Sequence, residues 1–282
     1  VWATRDVDAL VTLSTHLDTV PPFIPPRLEG ARLFGRGACD AKGIAAAMLA
    51  AADRLVASGE SRVGLLFVVG EEEGSEGARA ANTLPTRSRY LINGEPTESR
   101  MASGAKGSLR IVVHTTGREA HSAYPTLGQS AIVPLVDLLA ALPALVLPRD
   151  PVLGETTINI GVIQGGTAGN VIPGNAAAEL LARVVGPVEE LRAILNRWVG
   201  RAARIEYGAY IPPQRFRTLP GFDASAVAYT SDIPLLDRWG TPLLFGPGSI
   251  HVAHTPDEHI AVAELRASVD VYERLVRALL AS

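Results

Sequence analysis

Apolar residues along this chain fall either into short unbroken runs or into stripes with helical spacing. Val63 to Val69 (VGLLFVV) is a run without alternation, closed by Gly70, as expected of a parallel strand buried on both faces. Shorter runs recur at 11–15, 89–93 and 242–246. Between the first two strands, AKGIAAAMLAAADRLVASG sets Ile44, Met48, Ala51, Ala52 and Leu55 on one helical face and ends at Gly59. Val262, Leu265, Val269, Tyr272, Val276 and Leu279 make a second such stripe, which predicts a terminal helix packing on the same domain. Strands alternating with helices imply an α/β fold with a mostly parallel sheet.

The texture changes from about residue 105 to 211. SLRIVVHTTG, an apolar helical stretch near 128–142, TTINIGVIQGG, AAAELLARVV and a helix near 187–200 read in the order strand, helix, strand, strand, helix, strand. That order describes a compact α+β unit of ferredoxin-like type. The predicted organisation is therefore a first domain in two parts, 1–104 and 212–282, with 105–211 inserted between them. No internal repeat or low-complexity tract is visible.

Composition narrows the partners. The chain has 282 residues, enough for about two domains, with 26 basic and 29 acidic residues and a formal charge of −3. That balance gives no broad positive surface for nucleic acid or an anionic membrane, which leaves a small molecule as the expected partner. The most apolar stretch, 131–148, contains Asp137 and three prolines, so no transmembrane helix is expected. The single cysteine, Cys39, excludes an intramolecular disulfide and an all-cysteine zinc site. Any metal must be held mainly by oxygen and imidazole, and a reducing, cytoplasmic setting is expected. The opening VWATRDVDAL shows no initiator Met, basic region or cleavage site, and reads as a fragment or a processed chain.

Candidate ligand groups follow one predicted strand after another. VTLSTH ends in His16, with Asp18 just beyond; LLFVVG runs into Glu71, Glu72 and Glu73; RYLING runs into Glu95; PLLFGPG leads to His251 and His254. Asp40 lies in a glycine-rich loop, GRGACDAKG, immediately before a helix. In open α/β sheets the loops beyond the carboxyl ends of the strands form the ligand crevice. Each group has an ordinary reading: Asp40 as a helix N-cap, Glu71 to Glu73 as a solvated acidic loop, His251, His254 and His259 as surface histidines, Glu95 before Pro96 as a turn. Jointly, two histidines and three or more carboxylates at strand ends suit two divalent ions, with zinc favoured. A two-metal site activates water and polarises a carbonyl, and one further carboxylate must stay free to take the proton. Cys39 beside Asp40 reads as a small buried residue rather than a ligand.

Seven segments carry a family resemblance: STHLDTVP, GRGACDAKG, VVGEEEGSEGA, NGEPT, GREAHSAYP, GGTAGNVIPG and HTPDEHI. In this order, and over nearly the whole chain, they resemble the M20 metallopeptidase family, which includes acetylornithine deacetylase, succinyl-diaminopimelate desuccinylase, aminoacylase and carboxypeptidase G. The resemblance implies a zinc-peptidase-like catalytic domain and a lid that also serves as the dimerisation domain. It implies that His16 and Glu95 hold one metal and Glu72 and His254 the other, with Asp40 bridging and Asp18 orienting His16. Aligning Gly74 and Ser75 with the family's glycine and small residue makes Glu71 the general base, Glu72 the ligand and Glu73 an extra residue. In the insert, His121 matches the histidine that stabilises the oxyanion, often from the partner subunit, and Asn170 matches a substrate-contacting asparagine. By themselves these two read as a structural histidine and a turn residue. Lys106 and Arg183 are candidates for a substrate carboxylate, or else solvated surface charges. Ser231 and Asp232 match a segment near the pocket, without a role that can be derived.

The implied function is dizinc hydrolysis of the amide of an N-acyl amino acid, most like acetylornithine or acetyl-lysine deacetylase, with cobalt or manganese as other possible metals. Competing expectations are a dipeptidase, carboxypeptidase or N-succinyl-diaminopimelate desuccinylase, a two-metal phosphoesterase, and a catalytically silent homologue. The silent reading arises because the family normally carries several tens of residues before its first histidine motif, so that truncation, with an exposed sheet edge and lowered stability, is an expectation too.

Overall fold

In the computed structural model, which describes residues 1–4 and 9–282, the apolar runs become strands of one five-stranded sheet. Across the sheet the order is Trp2–Thr4, Val63–Val68, Val11–His16, Tyr90–Asn93 and Thr241–Leu244. All neighbours are parallel except Trp2–Thr4, which lies antiparallel on one edge. The chain is thus an α/β protein with a mostly parallel sheet. Every residue of Val11–His16 is buried, which explains a run without polar alternation.

Helices cover both faces. Helix α1 (Lys42–Ala57) and helix α5 (Val262–Leu280) lie on one side, where Ile44, Met48, Leu55, Tyr272, Leu275 and Val276 share a core with Val11, Leu13, Leu243 and Phe245. Helix α2 (Glu76–Ala81) lies on the other, where Ala78 and Ala81 join Leu66, Val68, Leu91, Leu236 and Trp239. Burial of each large apolar side chain contributes about 1.5–3 kcal/mol against the entropy of ordering it.

Chain connectivity decides where the crevice opens. From the Val11–His16 strand the chain crosses through α1 to Val63–Val68 on one side, then through α2 to Tyr90–Asn93 on the other. Crossovers to opposite sides leave a gap beyond the carboxyl end of the central strand. His16 is the last residue of that strand.

The described chain divides into two compact units: Val1–Gly104 with Arg215–Val227 and Ser231–Ser282, and Ala105–Gln214 with Ala228–Thr230. The second unit has a four-stranded antiparallel sheet ordered Thr157–Gly165, Asn175–Val184, Gly107–Thr116, Arg204–Ile211. The Gly107–Thr116 strand alternates, burying Leu109, Ile111, Val113 and Thr115 against helices α3 (Ile132–Ala141) and α4 (Val188–Val199). Thr157–Gly165 is an edge strand exposed over almost its full length, including Ile160, Val162 and Ile163. Among the described residues no helix is long and apolar enough to cross a membrane.

Candidate metal centre

His16 anchors the site at the centre of the sheet's crevice, and its side chain is almost wholly buried. Its Nδ1 lies 3.1 Å from the Asp18 backbone carbonyl oxygen and 3.6 Å from Asp18 Oδ1. A carbonyl oxygen only accepts, so Nδ1 carries the proton and donates. In the neutral ring Nε2 is then a lone pair, yet it faces Asp40 Oδ1 at 3.0 Å and Glu95 Oε2 at 3.9 Å. Acceptors facing one another at this distance require a cation between them, either a second ring proton or a metal ion.

Asp40 reaches a second histidine with its other oxygen. Asp40 Oδ2 lies 3.2 Å from His254 Nε2, and the same nitrogen is 3.1 Å from both carboxylate oxygens of Glu72. One nitrogen cannot serve three carboxylate oxygens with a single proton. In a tetrahedral site with bonds of about 2.0–2.1 Å, neighbouring ligand atoms lie about 3.3 Å apart. The nitrogen–oxygen separations of 3.0–3.9 Å found here fit that spacing. One donor atom each from His16, Asp40 and Glu72 also fits within 4.8 Å of the others. Asp40 is not the cap of α1: the N-cap is Ala41, with no side-chain capping bond, and the Asp40 carboxylate is committed to the two histidines.

The three consecutive glutamates have separate fates in the turn after Val63–Val68. The backbone N–H of Glu72 donates to Asp18 Oδ2 at 3.2 Å, so the Asp18 carboxylate steadies the turn while its own carbonyl steadies His16. Glu71 makes no short contact with either histidine, and burial, with help from the charges of Asp232, Glu72 and Asp40 and against that of His16, pushes its carboxyl up to about 7. Glu73 lines a cavity of about 350 Å³ together with Asp18, Thr19, Val20, Pro21, Gly70 and Glu72. Ser75, just beyond, takes a left-handed backbone at φ 59°, uncommon for a residue with a side chain, and its hydroxyl bonds Asp232.

Charge in the site is unbalanced toward acid. Burial raises Glu95 well above the usual carboxylate range, His16 alone among the neighbouring charges opposing it. For His16, burial acts downward, but the Asp40 hydrogen bond and the charges of Glu95, Asp40 and Glu71 carry the ring up to about 11. His254 rises to about 9, chiefly through its bond to Asp40. Carboxyl and imidazole groups holding protons this tightly mark a place where positive charge is missing, which is the property of a cation site.

The other sequence candidates have surroundings of their own. His251 is exposed, 3.8 Å from Glu98, and His259 bonds the Asp257 carbonyl at 2.7 Å. Cys39 is fully buried, its thiol 3.5 Å from the Ser249 carbonyl, and burial raises it far from any thiolate. His121, Asn170, Lys106 and Arg183 all belong to the second unit. There the short ribbon pairing Ala120–His121 with Val171–Ile172 brings His121 beside the Asn170 loop, and Ser122 N–H donates to the Asn170 carbonyl at 2.9 Å. Lys106 donates to the Glu155 carbonyl at 2.6 Å, and burial lowers Arg183. That unit has a cleft of its own, about 510 Å³, lined by His114, Thr116, Glu119, Gln164, Asn175 and Arg204 among others, and none of the four candidates lines it.

Two buried acids were not assigned roles from sequence. Asp232 is almost fully buried, and its Oδ1 finds no hydrogen-bond partner among the described residues. Glu258 is equally buried against Arg36. Its only signal was its place inside HTPDEHI, where an acid reads as a loop residue.

Comparison with known proteins shows what the chain as a whole is similar to. Residues 12–278 match the model for peptidase family M20/M25/M40. A Peptidase M20 domain-containing protein of Schizosaccharomyces pombe is 41% identical over 273 residues, covering 94% of this chain and 68% of the relative. A probable carboxypeptidase of Aspergillus clavatus is 39% identical over 312 residues, covering 96% of this chain and 69% of its own length. Among solved structures, an aminopeptidase from Bacillus cereus superposes with a TM-score of 0.76 over 98% of this chain and 83% of that one, at 20% identity.

Proposed function

Because the chain belongs to peptidase family M20/M25/M40 and is therefore a metal-dependent hydrolase, we propose that it cleaves the amide joining an acyl or aminoacyl group to an amino acid with a free carboxylate. The observation that carries this reading is the position of Asp40, whose two oxygens face two different histidines. His16 and Glu95 would hold one divalent ion, Glu72 and His254 the other, and Asp40 both, with zinc the metal best matched to imidazole and carboxylate donors. Bound there, the pair of ions would polarise the amide carbonyl and make water acidic near neutral pH.

The protein's own groups do the rest. Glu71, half-buried and outside both donor sets, takes the proton of the attacking water and passes it to the departing amine nitrogen. In the metal-free chain burial raises this carboxyl, which favours its taking up a proton. Asp18 holds the His16 ring in the tautomer that leaves Nε2 free. By family resemblance His121 steadies the developing oxyanion and Asn170 contacts substrate, while Lys106 and Arg183 are the candidates for the substrate carboxylate. The peptide reading is favoured by the relative named as a probable carboxypeptidase. N-acetyl amino acids, the substrates first expected from the sequence, present the same bond with a smaller acyl group. Amine release from dipeptides, their C-terminal amides and N-acetyl amino acids tests the proposal. Cleavage of free-carboxylate substrates alone supports it, and cleavage of the C-terminal amides at equal rate overturns it.

A homodimer formed through the inserted unit is part of this reading. The edge strand Thr157–Gly165 exposes Val162 and Ile163, and unpaired edges with apolar side chains are normally paired or covered. Val162→Lys combined with Ile163→Lys should convert a dimer to a monomer in sedimentation.

A further inference from the structure

Glu258 has a side chain sealed from water and takes four donors. Its Oε1 accepts from the backbone N–H groups of Gly37 at 2.9 Å, Cys39 at 3.1 Å and Asp40 at 3.0 Å. Its Oε2 accepts from Arg36 Nη1 at 2.8 Å. Arg36 Nη1 also donates to the Thr255 carbonyl at 3.2 Å, and the Gly35 N–H donates to the Glu258 carbonyl at 3.0 Å. A carboxylate so deeply buried is costly unless fully satisfied, and here every donor comes from the loop that carries Asp40. Convergence of the N–H groups needs an unusual backbone, which Gly37 supplies at φ +87°, a conformation that a side chain would oppose.

The arrangement ties two distant parts of the chain to one anchor. Asp40, the residue between the two histidines, has its own N–H held, and Thr255, bonded to Arg36, immediately follows His254. We propose that Glu258 is a positioning residue of the metal centre: through the backbone of residues 37–40 it aims the Asp40 carboxylate, and through Arg36 it fixes the loop of His254. It contacts neither substrate nor metal. This inference rests on the two-metal reading given above.

The test is titration of Co²⁺ into the metal-free chain, followed by visible absorption and calorimetry, for the wild type, Glu258→Ala, Glu258→Gln, Asp40→Asn and both Glu258 variants combined with Asp40→Asn. Partners outside the ligand set commonly alter metal affinity by about 10–100-fold. Glu258→Ala should weaken both ions toward the upper end of that range and change the Co²⁺ spectrum, and Glu258→Gln, which keeps an acceptor for the three N–H groups, should do so less. In the Asp40→Asn background the same substitutions should change the remaining affinity by a smaller factor than in the wild type, because the route through Asp40 is already cut and only that through Arg36 to the His254 loop remains. A purely structural latch would lower the melting temperature and leave the affinity of the folded protein unchanged. Wild-type affinity and spectrum in a folded Glu258 variant overturn the proposal, as does an equal loss with and without Asp40→Asn. If Glu258→Ala does not fold, Glu258→Gln carries the same comparison. A wild-type chain that takes up no Co²⁺ overturns the two-metal reading itself, which is a different failure from two bound ions indifferent to Glu258.

Discussion

Both units of this chain have an apolar core, but among the described residues only one of them also buries charge. In the first, His16, Arg36, Asp40, Glu95, Asp232 and Glu258 are all buried, clustered beyond one end of a parallel sheet or against the loop that leads there. In the second, the buried polar residues among those described are Thr115 and Thr156, neither of them charged. Thr115 is satisfied simply, donating to the Ala131 carbonyl at 2.7 Å, and the rest of that core is aliphatic side chains between a sheet and two helices. Buried charge destabilises a fold unless it is paired, so its concentration in one unit marks where function outweighs stability. Apolar burial alone suffices to hold the other unit together.

The contrast can be broken from either side. The largest effect is expected at Asp40: Asp40→Ala should cost more than about 100-fold in metal affinity at both positions and abolish turnover, since an outer partner alone can cost that much. Retention of two ions by this variant would remove the bridging role. Next, Glu71→Gln should keep both ions while kcat falls by about 10²–10⁴-fold, whereas Glu72→Gln should lose one ion. Equal metal loss in both would show that the three glutamates have been placed one residue out of step.

In the second unit, Ile111→Ala should cost about 2–5 kcal/mol in denaturant unfolding by opening a cavity in a closed core, with metal stoichiometry unaltered. A change in stoichiometry would show that the two kinds of core are energetically coupled.

The smallest effect concerns pH in the metal-free protein. Glu71 rises on folding from 4.5 to about 7, so between those values the folded state binds more protons than the unfolded one, and stability falls as pH rises. His16, raised from 6.5 to about 11, adds stability that is complete below 6.5 and is lost as pH climbs toward 11. The melting temperature of the metal-free chain should therefore fall between pH 5 and 8. Saturating Zn²⁺ should flatten or reverse that slope, because metal and proton compete for the same atoms. A rising metal-free melting temperature over this interval would contradict the charge balance described for the site.

Much of this is legible in the sequence. The unbroken run at 63–69 and the stripes of α1 and α5 emerge where their periodicity places them, because burial on one helical face or on both sheet faces leaves a direct mark on composition. The ordering of ligand types after successive strands was legible too, since parallel strands must deliver their carboxyl ends to one side. Glu258 and Asp232 were not, because an acid in a polar loop has the same local pattern whether it faces water or a ring of backbone N–H groups. His251 and His254 illustrate the same limit: they stand three residues apart in one loop, and only His254 turns toward Asp40.

By itself, then, the sequence determined the alternation of strands and helices, the inserted α+β unit, and an acid- and histidine-rich set of strand ends. Those properties are local, written in spacing and side-chain type. Tertiary structure alone decided which oxygen of Asp40 meets which histidine and that Glu258 grips the Asp40 loop. These contacts join residues up to 222 positions apart, and their geometry is set by how the sheet and its loops pack rather than by any neighbour in the chain.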